Sequence, residues 1–141
     1  FEPTAAGAPV ANRVEGGKRP RSSMSPSIVY DSKGRAVLAV GAAGGMTIPA
    51  QVAKAIIGVL DFKLAVADAI ALPTIYVSDD LVILEKSPQG EKLVAMQPAL
   101  EKLGHRTVAA PLPLKANGLE RTAGGWRGGA DPRSEGNSAG Y

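Results

Sequence analysis

Two glycines, Gly44 and Gly45, stand between an apolar run and a stretch with helical spacing. Glycine lets a backbone turn sharply and approach a ligand closely. The first amides of the helix that follows have no partner within it and point outward. A junction of this kind binds negative charge, and in acyl-transfer chemistry it serves as an oxyanion hole. A tight strand-to-helix connection with no ligand has the same sequence. The second stretch is Arg19-Pro20-Arg21-Ser22-Ser23-Met24-Ser25-Pro26. Hydroxyls beside arginines can hold a carboxylate or phosphate. Plain surface loops share that composition, so the residues alone leave both readings open.

The other reactive side chains point to structural roles. His105 is the only histidine and follows Gly104, a position that suits a surface or helix-end residue. The chain has no cysteine, which removes disulfides, thiolate catalysis and Cys-ligated metal. Without a second His or a Cys there is no transition-metal ligand spacing, and no metal or cofactor is expected. Asp79-Asp80 lies in a turn signal. Asp131-Pro132-Arg133 suits an internal ion pair that fixes the end of the chain. A net charge of +3, from 16 basic and 13 acidic residues, is weak for a nucleic-acid partner. Trp126 and the few other aromatics are too sparse for a base-stacking platform. The cluster Arg13, Lys18, Arg19 and Arg21 reads as a solvated loop or an anion-binding loop. No run of about 18 apolar residues exists, so no membrane span is expected. No signal-peptide pattern is present. The 141 residues fit one domain, and the loop-like start at Phe1, without Met, reads as a portion of a longer product.

Local patterns say which elements must position these residues. Residues 1–20 carry Pro3, Gly7, Pro9, Gly16, Gly17 and Pro20 without periodicity, an extended arm or loop that needs something to lie against. Ile28-Val29-Tyr30, the turn Asp31-Ser32-Lys33-Gly34 and the run from Arg35 to Val40 predict a hairpin with a largely buried second strand. The loop 41–45 follows at once. Thr47 can cap a helix with Pro49 in its first turn. Ile48, Val52, Ala55, Ile56, Val59 and Leu60 share its apolar face. A second helix over 64–71 must end before Pro73. Short strands are predicted at 75–77 and 81–84. Within 91–103, Pro98 opens a helix that closes at Gly104 with a left-handed cap. A strand over 106–110 and a hairpin of 117–122 with 126–130 complete the order. Two strands, two helices, a mixed middle and two strands predict an α+β fold with a mainly antiparallel sheet packed by helices.

The sequence resembles the γ-glutamyltranspeptidase family. The likeness rests on Lys18-Arg19-Pro20-Arg21-Ser22-Ser23-Met24-Ser25-Pro26, on Gly41-Ala42-Ala43-Gly44-Gly45, and on Asp131-Pro132-Arg133-Ser134 with Ala139-Gly140-Tyr141. Their order and spacing match that family's small subunit from its mid-region to its C-terminus, over nearly the whole chain. The resemblance implies a partial Ntn-hydrolase αββα sandwich. In such a protein a precursor cuts itself, and the exposed N-terminal threonine attacks the γ-glutamyl amide of glutathione or a similar donor. An acyl-enzyme forms, and water or an amino-acid or peptide acceptor releases the glutamyl group. By the same resemblance, Ser22 and Ser23 bind the donor's α-carboxylate, and the amides of Gly44 and Gly45 hold the oxyanion.

The sequence also departs from the family pattern. Ala42 and Ala43 replace the usual Ser-Pro, Met46 stands where a basic residue is often found, and Leu72-Pro73-Thr74-Ile75 replaces an Ala-Pro-Arg-Phe type of stretch. Phe1 cannot act as an N-terminal nucleophile, and Thr4 and Thr47 are internal. The nucleophile, the grip on the donor's α-amino group and the large subunit are therefore expected elsewhere in the precursor, and these 141 residues alone are expected to be inactive. The departures leave room for a related Ntn acylase or a γ-polyglutamate-cleaving enzyme. A non-enzymatic module that binds an anionic partner through Arg19 and Arg21 is a further reading. A periplasmic or extracellular parent is implied by resemblance. Self-association through an unpaired sheet edge is expected of the isolated piece.

Overall fold

A computed structural model describes residues 4–5 and 8–140. Phe1, Pro3 and Gly7 of the arm, and Tyr141 of the C-terminal motif, lie outside the described residues. Two short strands, β1 (Thr4–Ala5) and β2 (Ala8–Pro9), pair within the arm. A hairpin of β3 (Ser27–Tyr30) and β4 (Ala36–Ala43) follows. A single 3-10 turn (Gly45–Thr47) leads into α1 (Ile48–Leu60), and α2 (Val66–Ala71) comes next. The middle of the chain holds β5 (Ile75–Ser78), β6 (Leu81–Glu85), α3 (Glu91–Val94), α4 (Gln97–Lys102) and β7 (Arg106–Ala110). The hairpin β8 (Lys115–Thr122) and β9 (Gly125–Ala130) ends it.

The predicted element order holds, and the fold is α+β. Besides the two-stranded β1-β2 pair, a second sheet has the order β3-β4-β8-β9 and is antiparallel throughout, and a further one has the order β5-β6-β7. Within the last, β6 and β7 run parallel. The sequence shows a strand at 106–110 but not its direction, which the α3–α4 crossover sets. Asp79 turns the β5–β6 hairpin with a φ of 53°, as the Asp-Asp turn signal implied. Gly104, with a φ of 91°, closes α4, and the His105 amide reaches back to the Leu100 carbonyl at 3.2 Å, a Schellman-type ending.

The core lies between the four-stranded sheet and the helices α1 and α2. Leu38 and Val40 of β4 and Ala116 of β8 meet Ile48, Val52 and Ala55 of α1 and Val66 and Ile70 of α2. Leu38 and Val40 of β4 are buried while their neighbours are not, because among the described residues no helix packs on the other face of that sheet. The strand read as largely buried is thus half-buried. That outer face holds a cleft of about 640 Å³ lined by Ile28, Ala39, Gly41, Leu119 and Ala139 among others. Gly129 lets α2 lie close on β9; a Cβ there would come within 2.8 Å of the Ala67 backbone.

Charges hold both ends of the short helix α2. At its start the Val66 amide donates to Glu120 Oε1 of β8 at 3.1 Å. In its last turn and just past it, Arg133 Nη2 donates to the Ile70 carbonyl at 2.6 Å and Arg133 Nη1 to the Leu72 carbonyl at 3.2 Å. The same guanidinium donates to Asp131 through Nε (2.7 Å) and Nη2 (2.9 Å), and to Glu85 Oε2 through Nη1 (2.8 Å). All five of its N–H donors therefore have acceptors. Lys54 of α1 comes from the other side and donates to the carbonyls of Ile70 and Leu72 and to Thr74 Oγ1. Anion at the N-terminus and cation at the C-terminus match the helix dipole. The ion pair expected of Asp131 and Arg133 is present, and Glu85, which the sequence did not single out, completes it.

Burial alone would push the Asp131 carboxyl up, but hydrogen bonds and charge from Arg133 outweigh it and hold the carboxyl below its ordinary range. Burial opposes the Arg133 charge, yet its bonds to Asp131 and Glu85 raise its pKa further. Lys54 is pushed down to about 8 by burial first and by the Arg133 charge second, partly offset by Glu85 and Asp131.

Removing the guanidinium takes the hydrogen-bonded cation from two buried carboxylates and leaves Lys54 as the one cation beside them. Arg133→Ala should therefore lower unfolding free energy by about 3–5 kcal/mol in denaturant melts at neutral pH. A loss under ~1 kcal/mol would contradict this account of the cluster. The Lys54 shift gives a second expectation. An unfolded lysine keeps its proton to about pH 10.4, so between about 8 and that value the unfolded state binds more protons and stability gains with pH. Compared with Lys54→Met, the wild type should gain relative stability from pH 7 to 10; melts that show a relative loss would contradict it.

Candidate functional site

β4 runs through Ala43, so the predicted 41–45 loop is shorter than expected: only Gly44 and Gly45 leave the ladder before the 3-10 turn. Ala42 and Ala43 pair with Ala116 and Lys115, which is why a strand persists there without β-branched residues. Gly44 has φ 134° and ψ 18°, and Gly45 has φ 61°. Both values suit glycine alone or nearly so. Among the described residues, neither glycine amide donates a hydrogen bond. The turn thus presents two successive N–H groups at the start of a helical segment, the arrangement that binds anions.

Thr47, at the end of the 3-10 turn, and Gln51 of α1 hold this turn. Thr47 Oγ1 donates to the Gly44 carbonyl at 3.0 Å. It accepts from Gln51 Nε2 at 2.9 Å. Thr47 therefore does not cap α1 with its side chain, as its sequence position suggested; its own φ of −79° is helical and its hydroxyl faces the glycine turn. A Cβ on Gly44 would come within 2.0 Å of the Pro113 carbonyl oxygen, 2.6 Å of Thr47 Oγ1 and 2.8 Å of Gln51 Nε2. A Cβ on Gly45 meets nothing within 4 Å.

The serine loop reaches the glycine turn through one contact. Ser23 Oγ donates to Met46 Sδ at 3.3 Å, joining residues 23 positions apart. Thioether sulfur is a weak acceptor, so a carboxylate arriving there would offer Ser23 a stronger, charge-assisted bond. Ser22 is exposed, and its Oγ accepts from the Met24 amide at 3.2 Å. Its hydroxyl proton has no acceptor among the described residues. The two motifs picked from sequence are therefore neighbours, with hydroxyls on one side and amides on the other.

The remaining candidates sit elsewhere. Arg13 and Lys18 both pair with Glu15. Arg19 and Arg21 are exposed and form no ion pair among the described residues. Asp80 pairs with Arg106 at 2.6 Å on the surface. His105 is exposed after the α4 cap. The Arg121 guanidinium lies 4.6 Å from the Trp126 ring centre. Among the described residues no three His, Asp or Glu side chains gather as metal ligands, and no helix is long and apolar enough to cross a membrane. Gln51 was not marked in the sequence reading, and Thr47 was marked only as a helix cap. The available signal was a polar residue, Gln51, on the otherwise apolar face of α1.

Known proteins resemble this chain in sequence and in fold. The family profile described as Gamma-glutamyltranspeptidase matches residues 2–141. The chain is 32% identical over 136 residues to glutathione hydrolase proenzyme 2 of Schizosaccharomyces pombe, covering 92% of this chain and 22% of that protein. It therefore spans about a fifth of that relative's length. The structure is similar to the gamma-glutamyltranspeptidase of Pseudomonas nitroreducens in complex with L-DON, with a TM-score of 0.79 and 26% identity over 94% of this chain and 69% of that one. It also resembles the T380A mutant of the Helicobacter pylori gamma-glutamyltranspeptidase, with a TM-score of 0.73 and 29% identity over 88% of this chain and 68% of that one.

The two glycines should respond differently to a methyl group. Gly45→Ala needs only a left-handed backbone, a cost of about 1–2 kcal/mol. Gly44→Ala adds overlap with a backbone carbonyl to its strain and should cost clearly more. Thermal unfolding of the two variants measures the order, and equal melting temperatures would contradict the geometry described.

Proposed function

As this chain belongs to the γ-glutamyltranspeptidase family and carries part of its Ntn-hydrolase αββα sandwich, we propose that it supplies the donor-binding half of a γ-glutamyl-transferring active site. The donor is glutathione or a similar γ-glutamyl amide, and the acyl-enzyme is released by water or by an amino-acid or peptide amine. The observation that carries this reading is the contact of Ser23 with Met46, which brings the serine loop beside the Gly44–Gly45 turn.

In this reading the donor's α-carboxylate takes the hydroxyls of Ser22 and Ser23. The scissile γ-carbonyl then lies over the turn. Attack by a nucleophile supplied by another part of the precursor moves negative charge onto the carbonyl oxygen, and the amides of Gly44 and Gly45 stabilise it. These donors are fixed before the reaction, so little reorganisation is needed when the charge develops. Loss of the amine leaves the acyl-enzyme, and a second attack through the same oxyanion releases the glutamyl group.

The uncovered face of the four-stranded sheet supports packing against further parts of the precursor. Ile28 and Leu119, 58% and 49% exposed, line its cleft. Left uncovered, that face and the β3 and β9 edges would drive self-association of the isolated chain. A periplasmic or extracellular location of the parent is part of this proposal and rests on family resemblance.

The test uses the full-length precursor with a γ-glutamyl anilide. Each hydroxyl-to-carboxylate bond is worth about 1.5–3 kcal/mol, so Ser22→Ala/Ser23→Ala should lower kcat/KM by more than about 10-fold while self-cleavage continues. An undiminished kcat/KM would sink the assignment of these serines. A wild type that cleaves itself but turns over no γ-glutamyl anilide would move the parent to a different acyl donor.

A further inference from the structure

Gln51 is a polar side chain that the reaction does not touch, yet it is only 1% exposed, and both its amide hydrogens and its oxygen are hydrogen-bonded. Nε2 donates to the Ala43 carbonyl at 2.9 Å and to Thr47 Oγ1 at 2.9 Å. Oε1 accepts from the Lys115 amide at 2.9 Å. The assignment of its two ends is forced, because Lys115 N–H can only donate and the Ala43 carbonyl can only accept. Ala43 and Lys115 are the last register partners of β4 and β8. The Gln51 amide therefore sits at the end of the ladder like an additional peptide unit. It joins both strands to the second turn of α1.

The chain leaves this ladder straight into Gly44. Gln51 grips the carbonyl just before that glycine directly. It grips the carbonyl of the glycine itself through Thr47, whose hydroxyl donates to Gly44 O at 3.0 Å and lies 3.4 Å from Pro113 O. Two consecutive peptide planes, 43–44 and 44–45, are thus held by their oxygens. Their N–H groups belong to Gly44 and Gly45. Fixing the oxygen of a planar peptide fixes the direction of its N–H.

We infer that Gln51, acting through Thr47, is a positioning residue for the oxyanion-binding turn. This rests on the reading of Gly44 and Gly45 as oxyanion donors. Gln51 touches neither donor nor reacting atoms; it sets where two amides point, and the serine loop is outside its reach. Its loss should appear in kcat and leave the KM for the donor nearly unchanged, because the interaction it supports is formed in the transition state. Misplaced donors of this kind cost about 10- to 100-fold in rate.

The experiment measures kcat and KM for γ-glutamyl anilide in the self-cleaved full-length protein. The variants are Gln51→Leu, Thr47→Val, Thr47→Ser and Gly44→Ala. The inference expects Gln51→Leu and Thr47→Val to lose about 10- to 100-fold in kcat at near-constant KM. Thr47→Ser, which keeps the hydroxyl, should stay close to wild type. If Gln51→Leu does not fold or self-cleave, the Thr47→Val and Thr47→Ser pair decides the matter. Gly44→Ala, whose Cβ overlaps the Pro113 carbonyl and must displace the turn, separates the inference from the reading beneath it. If it lowers kcat while Gln51→Leu and Thr47→Val do not, Gln51 does not position the turn and only this inference falls. If all three keep wild-type kcat, the turn holds no oxyanion and the reading beneath falls with it. Loss in Gln51→Leu alone, with Gly44→Ala unchanged, would also overturn the inference, because Gln51 would then act by another route.

Discussion

The arrangement of α2 depends on one buried guanidinium. Arg133 has acceptors for all five of its donors, and these acceptors come from β6 (Glu85), from the segment after β9 (Asp131) and from the end of α2 (Ile70, Leu72). A helix of six residues has little stability of its own, so its place in the fold is set by what grips its ends. Glu120 takes the amide at its start, and Arg133 and Lys54 take the Ile70 carbonyl of its last turn. Two cations and two carboxylates share that cluster, which keeps the local charge balanced. The three-stranded and four-stranded sheets meet through it.

The same network reaches the candidate site from behind. Arg133 and Ser134 line one wall of a small cleft, and Gly44, Pro113 and Lys115 line another. The glycine turn itself has a separate support, the buried pair Thr47 and Gln51. The structure thus uses two polar clusters in different ways. The charged one fixes how elements lie on one another. The neutral one fixes the direction of two peptide groups. A neutral amide suits the second task, because it donates and accepts without adding a charge beside a turn meant to receive one.

Much of this was legible in the sequence, and the omissions have physical causes. Pro49, Pro73, Pro98 and Gly104 mark helix boundaries through covalent constraint, which acts locally and reads reliably. Asp131 and Arg133 are two residues apart, so their pairing is also local. Glu85 lies 48 residues from Arg133 and Lys54 lies 16 from Ile70, and nothing in their neighbourhoods marks them as partners. The extension of β4 through Ala42 and Ala43 comes from pairing with β8, a contact between distant segments that small residues do not announce. Thr47 was misread because a threonine before a helix usually caps it. Here the hydroxyl instead donates to the Gly44 carbonyl, which also accepts from the Thr47 amide at 3.3 Å. At the site, the glycine and serine motifs were visible as separate stretches. Their meeting through Met46 was not.

The central claim is that one ligand bridges the two motifs, with its carboxylate on the serine loop and its carbonyl oxygen on the glycine turn. The most direct measurement is a crystal structure of the self-cleaved full-length protein with a γ-glutamyl group trapped on its nucleophile. The account predicts the α-carboxylate on the hydroxyls of Ser22 and Ser23, and the acyl oxygen within about 2.7–3.1 Å of the amides of Gly44 and Gly45. A trapped glutamyl group whose acyl oxygen points away from the turn, or whose carboxylate is held by residues outside the serine loop, would contradict it.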